Sequence, residues 1–203
     1  MEKSPDWSTA MEKLRISNTF FEGVMVLEPL KFSDDRGFFL ESYHKRNFEL
    51  LGITENFVQD NHSCSRKGVI RGLHFQSGHP QGKLVKVFRG SIYDVIVDIR
   101  KKSPKYGKYI GIHLDNKENK MVYVPVGFAH GFLSLEDQTE IQYKTTDFYH
   151  PEYDAGIRWN DPDIGIAWPL QEYGIDAPLL SAKDASLPLL RDVDSPFQYP
   201  PKR

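Results

Sequence analysis

The chain has 203 residues, 26 Lys and Arg against 28 Asp and Glu, and a formal charge of −2. This length suits one large domain with a core of its own. The charge balance gives no basic coat for nucleic acid, so any anionic ligand must be met by local cations. A single cysteine, Cys64, rules out an internal disulfide and fits a reducing compartment, and it reads as a small, half-buried strand residue. The first residues lack the apolar core of a signal peptide, and no apolar run approaches the roughly 18 residues of a membrane span. A soluble, cytoplasmic protein without membrane or nucleic-acid partners is expected.

Residues 1–20 read as a polar, flexible N-terminal extension, and residues 21–203 as one domain. From Val24 the texture is all-β, with short apolar or alternating runs separated by turn residues. Val24–Leu27 and Phe38–Tyr43 are predicted strands on either side of a turn at 33–37. Lys45–Leu51, closed by Gly52, is predicted as a short helix. Strands are then predicted at Phe57–Ser63, Val69–Gln76, Lys83–Arg89, Ser91–Arg100, Lys108–Leu114, Met121–Val124, His130–Leu135 and Thr139–Thr145. In Ser91–Arg100, Tyr93, Val95, Val97 and Ile99 share one face, and Asp94 and Asp98 the other. Many short strands at this spacing argue for a jelly-roll barrel or sandwich. The Pro-rich tail after Trp159 reads as an irregular wrap, with a short helix expected within Leu187–Val193.

Several chemistries drop out at once. The chain has no P-loop, no strand-linked G-x-G-x-x-G and no G-x-S-x-G elbow. The position two beyond His74 is Gln76, so the H-x-H pair of metal-binding barrels is missing and no metal is expected. What remains is proton transfer. Abstracting a proton beside a carbonyl needs a base, a cation for the developing enolate oxygen, and an acid to return a proton. His74 on the Gly68–Gln76 run supplies an imidazole and Lys83 a cation. Tyr143 offers a phenol, and His130 is a second polar pocket group. Each also has a bland reading: a core histidine, an exposed strand lysine, a packed tyrosine, a structural histidine. Arg71 and His74, three apart, point to opposite faces of a regular strand and serve one ligand only if the strand bulges or twists, for which Gly72 is a reasonable place; the bland alternative keeps only His74 inside.

The motifs, in order, resemble one family. They are Asp35-Arg36-Gly37-Phe38-Phe39, Val58-Gln59-Asp60-Asn61-His62-Ser63, Gly68–Gln76, Lys83-Leu84-Val85 and Val124–Phe132. Gln142–Thr146, Trp159-Asn160-Asp161-Pro162 and Leu180–Asp184 follow. From about Phe21 to Leu190 the chain is similar to the dTDP-4-dehydrorhamnose 3,5-epimerases, of cupin-type jelly-roll fold. The resemblance implies cofactor-independent epimerisation at C3 and C5 of dTDP-4-dehydro-6-deoxy-D-glucose. It implies His74 as base, Asp184 as its dyad partner, Tyr143 as general acid and Lys83 near the enolate. His130 would line the sugar site, and Arg36 and Arg71 would meet diphosphate or sugar. Glu41, Gln59, Asn61, Asp154 and Lys183 fall in binding positions, and Tyr149 where an aromatic ring stacks on thymine. The resemblance also implies a homodimer that exchanges an N-terminal strand and contributes residues to its partner's site. Alternatives are an epimerase acting at one carbon or on another 4-keto nucleotide sugar, a non-catalytic nucleotide-sugar-binding barrel, and a metal-dependent barrel oxygenase.

Overall fold

In the computed structural model, which describes residues 13–200, two facing sheets enclose an apolar core. The first contains β1 (Leu14–Phe20), β2 (Val24–Pro29), β5 (Gln59–Ser65), β7 (Lys83–Arg89), β10 (Met121–Val124) and β12 (Thr139–Thr145), in the order β1-β2-β10-β7-β12-β5. The second contains β6 (Ile70–Gln76), β8 (Ser91–Asp98), β9 (Tyr109–Asp115), β11 (Phe128–Ser134) and β13 (Asp154–Gly156), in the order β13-β6-β11-β8-β9. β3 (Lys31–Asp34) and β4 (Gly37–Leu40) form a separate two-stranded hairpin. This is the all-β, cupin-type jelly roll that the sequence predicts.

Alternation explains what lies inside. Val85 and Val87 of β7, Val122 and Val124 of β10 and Ile141 of β12 meet Ile92 and Ile96 of β8 and Phe128 and Phe132 of β11 between the sheets. The outer face of the first sheet is covered by α1 (Lys45–Leu50), whose Phe48 packs with Leu27, Met121 and Tyr123. Gly52, at φ +87°, ends that helix as expected. The outer face of the second sheet carries Leu73, Phe75, Val95 and Val97, and the C-terminal wrap packs Ile157, Ile164, Trp168 and Leu190 onto it. A short helix α2 (Ala182–Ala185) lies in this wrap, and the helix expected near Leu187 is a 3-10 turn at Leu190–Asp192.

Three expectations are corrected. Leu14–Phe20 is a strand paired to β2, so residues 14–20 are not a flexible extension; residues 1–12 lie outside those described. The period of this strand is weak: Leu14, Ile16 and Phe20 fall on one parity, but Asn18 interrupts them and most of this edge strand is exposed. Cys64 is exposed, not half-buried, because it lies on an edge strand. The turn at 33–37 is narrower than expected, since Lys31–Asp34 is itself a strand. On β8, whose two faces the sequence leaves unassigned, Asp94 and Asp98 are both fully buried, on the barrel side.

The bulge at Gly72 is the feature that builds the site. Across β6 and β11, His74 pairs with His130 and Arg71 with Phe132, so Gly72 and Leu73 together oppose Gly131. That extra residue brings Arg71 and His74 to the same side. Gly72 has φ +121°, and a Cβ there would stand 2.5 Å from Gly131 Cα and 2.8 Å from the His130 carbonyl oxygen. Gly72→Ala is therefore expected to destabilise the fold by on the order of 1–3 kcal/mol through overpacking, with the left-handed backbone adding about 1–2 more. A urea-denaturation midpoint equal to that of the unmodified chain would contradict this.

Candidate active site

Two adjoining cavities open at the end of the barrel where β6, β7 and β12 face one another. The inner one, about 260 Å³, is lined by Arg71, His74, Lys83, His130, Tyr143 and Asp184, among others. The outer one, about 310 Å³, shares His74, Lys83, Tyr143 and Lys183 with it and adds Gln59, Asn61, Tyr149 and Asp154. Eleven of the thirteen site residues expected from the sequence are thus gathered around one continuous space.

His74 Nε2 lies 2.6 Å from Asp184 Oδ1. The carboxylate sits there because Ser181 caps α2, its Oγ accepting from the Asp184 backbone N–H at 3.0 Å. Burial by itself raises the Asp184 carboxyl. The bonds from His74, Ser181 and the Gly72 backbone outweigh it and hold the group below the ordinary carboxylate value. A charged, fixed partner orients the imidazole, which suits a base.

Lys83 opens β7, and its Nζ donates to the His74 carbonyl oxygen at 3.3 Å. Burial pulls its ammonium down to about 8, opposed by the negative charges of Asp154 and Asp94. Tyr143 projects from the first sheet while His74 projects from the second, so the phenol and imidazole face each other across the cavity. Burial pushes the Tyr143 phenol up, with Asp154 adding to the effect and Arg71 opposing it, so at neutral pH it keeps its proton. A ligand lying between the sheets meets an imidazole on one face and a phenol on the other.

A second imidazole–carboxylate pair lies deeper. His130 Nε2 is 2.7 Å from Asp94 Oδ1, and both side chains are buried. Among the described residues, Asp94 Oδ2 finds no hydrogen-bond partner. The sequence reading puts Asp94 on the strand face opposite Tyr93 and Val95 and gives it no role in the site. Two acidic residues within a strand otherwise apolar on both faces were the available signal.

At the mouth, Tyr149 Oη donates to Asp154 Oδ2 at 2.8 Å, and Lys183 Nζ pairs with the same oxygen. Burial raises the Asp154 carboxyl, but these two donors bring it below its usual value. The Tyr149 backbone N–H donates to Gln59 Oε1 at 2.9 Å, and Gln59 Nε2 to Asn61 Oδ1 at 2.9 Å. Arg71 is steadied by a 3.1 Å bond from Nε to Ser65 Oγ. Ser63, Gln76, Gln81 and Ser181 also line the cavities and were not expected from the sequence.

Arg36 and Glu41 are not brought to this space. Arg36 sits at the tip of the β3–β4 hairpin, its side chain 90% exposed and paired with Asp34. Glu41 accepts from Asn47 Nδ2 at 2.6 Å beside α1.

The family model described as dTDP-4-dehydrorhamnose 3,5-epimerase matches residues 18–192. The chain belongs to that family. It is 51% identical over 176 residues to the dTDP-4-dehydrorhamnose 3,5-epimerase of Escherichia coli strain K12, covering 86% of this chain and 93% of that protein. It also resembles the crystal structure of dTDP-6-deoxy-D-glucose-3,5-epimerase from Legionella pneumophila Philadelphia 1 in complex with dTDP-4-keto-L-rhamnose. That likeness has a TM-score of 0.86 at 46% identity, covering 92% of this chain and 98% of the other. A more distant relative, 36% identical over 89% of this chain and 86% of its own length, is a dTDP-4-dehydrorhamnose 3-epimerase from Streptomyces niveus. The fold and the family are those the sequence motifs imply.

Proposed function

We propose that this chain epimerises dTDP-4-dehydro-6-deoxy-D-glucose at C3 and C5, giving dTDP-4-dehydro-L-rhamnose, with side chains as the proton-transfer groups. The observation that carries the reading is the placement of the His74–Asp184 pair and the Tyr143 phenol on opposite sheets of one cavity, with the Lys83 ammonium beside them. The 4-keto group acidifies the C–H bonds on both flanking carbons. His74 takes a proton from C3 or C5, and the electron pair moves into the C4 carbonyl to give an enolate. Lys83 stabilises the enolate oxygen. Tyr143 then delivers a proton to the same carbon from the other face, which inverts it. Exchange with solvent returns His74 and Tyr143 to their starting states, and the second carbon follows the same course.

The outer cavity suits the nucleotide. Lys183 offers charge to the diphosphate, with Arg71 adding charge from the inner cavity, Gln59, Asn61 and Asp154 offer polar partners, and Tyr149 presents a half-exposed ring for a thymine. Incubation with dTDP-4-dehydro-6-deoxy-D-glucose followed by NMR of the sugar is expected to yield the doubly inverted product. A product inverted at C3 alone would favour the mono-epimerase reading that the Streptomyces niveus relative keeps in view. Unchanged substrate in the presence of tight dTDP binding would favour a non-catalytic barrel.

Lys83 sets the alkaline limit. Its charged form dominates below about pH 8 and is lost above it, taking with it the cation that the enolate needs. The rate is expected to fall as pH rises through about 8, and in Lys83→Gln that limb should disappear along with a loss of on the order of 10²–10³ in kcat. A pH profile of kcat in Lys83→Gln that superimposes on the wild-type profile would contradict this assignment.

The homodimer accounts for Arg36 and Glu41. The β3–β4 hairpin that carries Arg36 also leaves Phe38 and Phe39 largely exposed, at 58% and 60%. Burying such an apolar edge against a second copy, with Arg36 and Glu41 reaching that copy's cavity, satisfies both features. Light scattering at micromolar concentration is expected to give twice the chain mass of 23.4 kDa. A monomer mass would contradict it.

A further inference from the structure

Outside the acid–base cavity, His79, Asp147 and His150 place three potential ligand atoms within 4.8 Å of one another. None of the three lines either cavity. His79 lies in the loop between β6 and β7, and Asp147 and His150 lie between β12 and the 3-10 turn Pro151–Tyr153. The two segments are held together before any ion is considered. Gln76, itself buried, donates from Nε2 to the carbonyl oxygens of His79 at 2.6 Å and Phe148 at 3.1 Å, and its Oε1 accepts from the His150 backbone N–H at 2.7 Å. Gln81 Nε2 donates to the Asp147 carbonyl oxygen at 2.9 Å.

The side chains converge within that frame. His79 Nδ1 is 3.3 Å from Asp147 Oδ2, close to the roughly 3.4 Å that separates two tetrahedral ligands with bonds of about 2.1 Å. The rings of His79 and His150 stack at 4.1 Å with 20° between their planes. Glu152 Oε1 sits 3.4 Å from His150 Nδ1, as carboxylates do when they orient a ligating imidazole through its other nitrogen. His79 adopts φ +51°, a left-handed conformation uncommon outside glycine, and its carbonyl is clamped there by Gln76. A Cβ on Gly78 would stand 2.6 Å from the Tyr153 ring, so the loop lies tightly on the second segment.

We propose that His79, Asp147 and His150 form a binding site for a divalent transition ion of the zinc class, which clamps the β6–β7 loop to the segment after β12. Two imidazoles and one carboxylate are a ligand set that suits zinc, nickel or copper over magnesium or calcium. The clamp acts at the rim. The segments it joins carry Gln81 and Tyr149, both of which line the outer cavity. The ion takes no part in the proton transfers at His74 and Tyr143, so the site stands or falls independently of the proposed reaction.

The test is calorimetric titration of chelator-stripped full-length protein with zinc chloride, paired with thermal melts in the presence and absence of zinc. One equivalent per chain is expected to bind, and the melting temperature to rise with zinc concentration as a ligand of the folded state requires. Asp147→Asn, His150→Gln and His79→Asn are each expected to weaken zinc binding by about tenfold or more, on the order seen for altered metal shells. Asparagine tolerates the left-handed backbone at 79, and far-ultraviolet circular dichroism matching the unmodified chain checks that each variant is folded. His113→Ala, at a histidine stacked on Tyr173 away from the trio, is expected to bind zinc as the unmodified chain does. No saturable binding of zinc, or stoichiometric binding retained in all three ligand variants, would overturn the proposal.

Discussion

Replacing His74 with alanine is expected to abolish proton exchange at both C3 and C5 of the keto sugar. Proton removal precedes every later event at either carbon, and among the cavity-lining residues His74 is the imidazole held by the fixed carboxylate of Asp184. A well-placed base contributes on the order of 10²–10⁴ in rate. The loss should be in kcat, because the nucleotide-facing groups at the cavity mouth are untouched by the substitution. The fold should survive, since the imidazole is part-exposed and its removal leaves the Leu73 and Phe75 packing on the opposite face intact. Exchange by His74→Ala at the wild-type rate, followed by NMR in deuterated water, would show that another group removes the proton.

Tyr143→Phe is expected to fail differently. The base and its partner remain, so a substrate C–H can still be opened and closed from the His74 side. What is lost is the proton delivered from the facing sheet, and with it inversion. Exchange should therefore persist while product formation falls by on the order of 10²–10⁴. Phenylalanine keeps the ring that packs against the barrel core, so a loss of stability does not explain such a split. Inversion by Tyr143→Phe at an undiminished rate would remove the phenol from the mechanism.

Much of this arrangement is legible in the sequence because half-buried strands announce themselves through period-two alternation. Lys83–Arg89, Met121–Val124 and Thr139–Thr145 occur with the predicted bounds, each contributing alternate side chains to the interior. The need for a bulge at Gly72 is also legible, from the requirement that Arg71 and His74 share a face, and the register of β6 on β11 contains it. Alternation does not say which face is inside, however. On β8 both faces are buried, the apolar one beneath the C-terminal wrap, so the Asp94 face turns out to be the barrel interior. On β1 the alternation of Leu14, Ile16 and Phe20 is interrupted at Asn18, and β3 carries a single apolar residue, so neither strand announces itself.

The wrap illustrates a different limit. Asp184 could be assigned to His74 only through family resemblance, because 110 residues separate them and no local pattern links them. The helix that carries it is not among the elements expected from the sequence. Ser181 and Asp184 stand at the spacing of an N-terminal helix cap, and α2 begins there. The trio His79, Asp147 and His150 is assembled by two loops tied together through Gln76 and Gln81, long-range contacts invisible in composition or spacing.

The most direct test of the epimerase assignment is to incubate the unmodified protein with dTDP-4-dehydro-6-deoxy-D-glucose in deuterated water and locate the label by NMR. Deuterium at both C3 and C5, accompanied by inversion at both carbons, is expected from a base and an acid on opposite faces of one ligand. No deuterium at either carbon, with the nucleotide sugar bound, would contradict it.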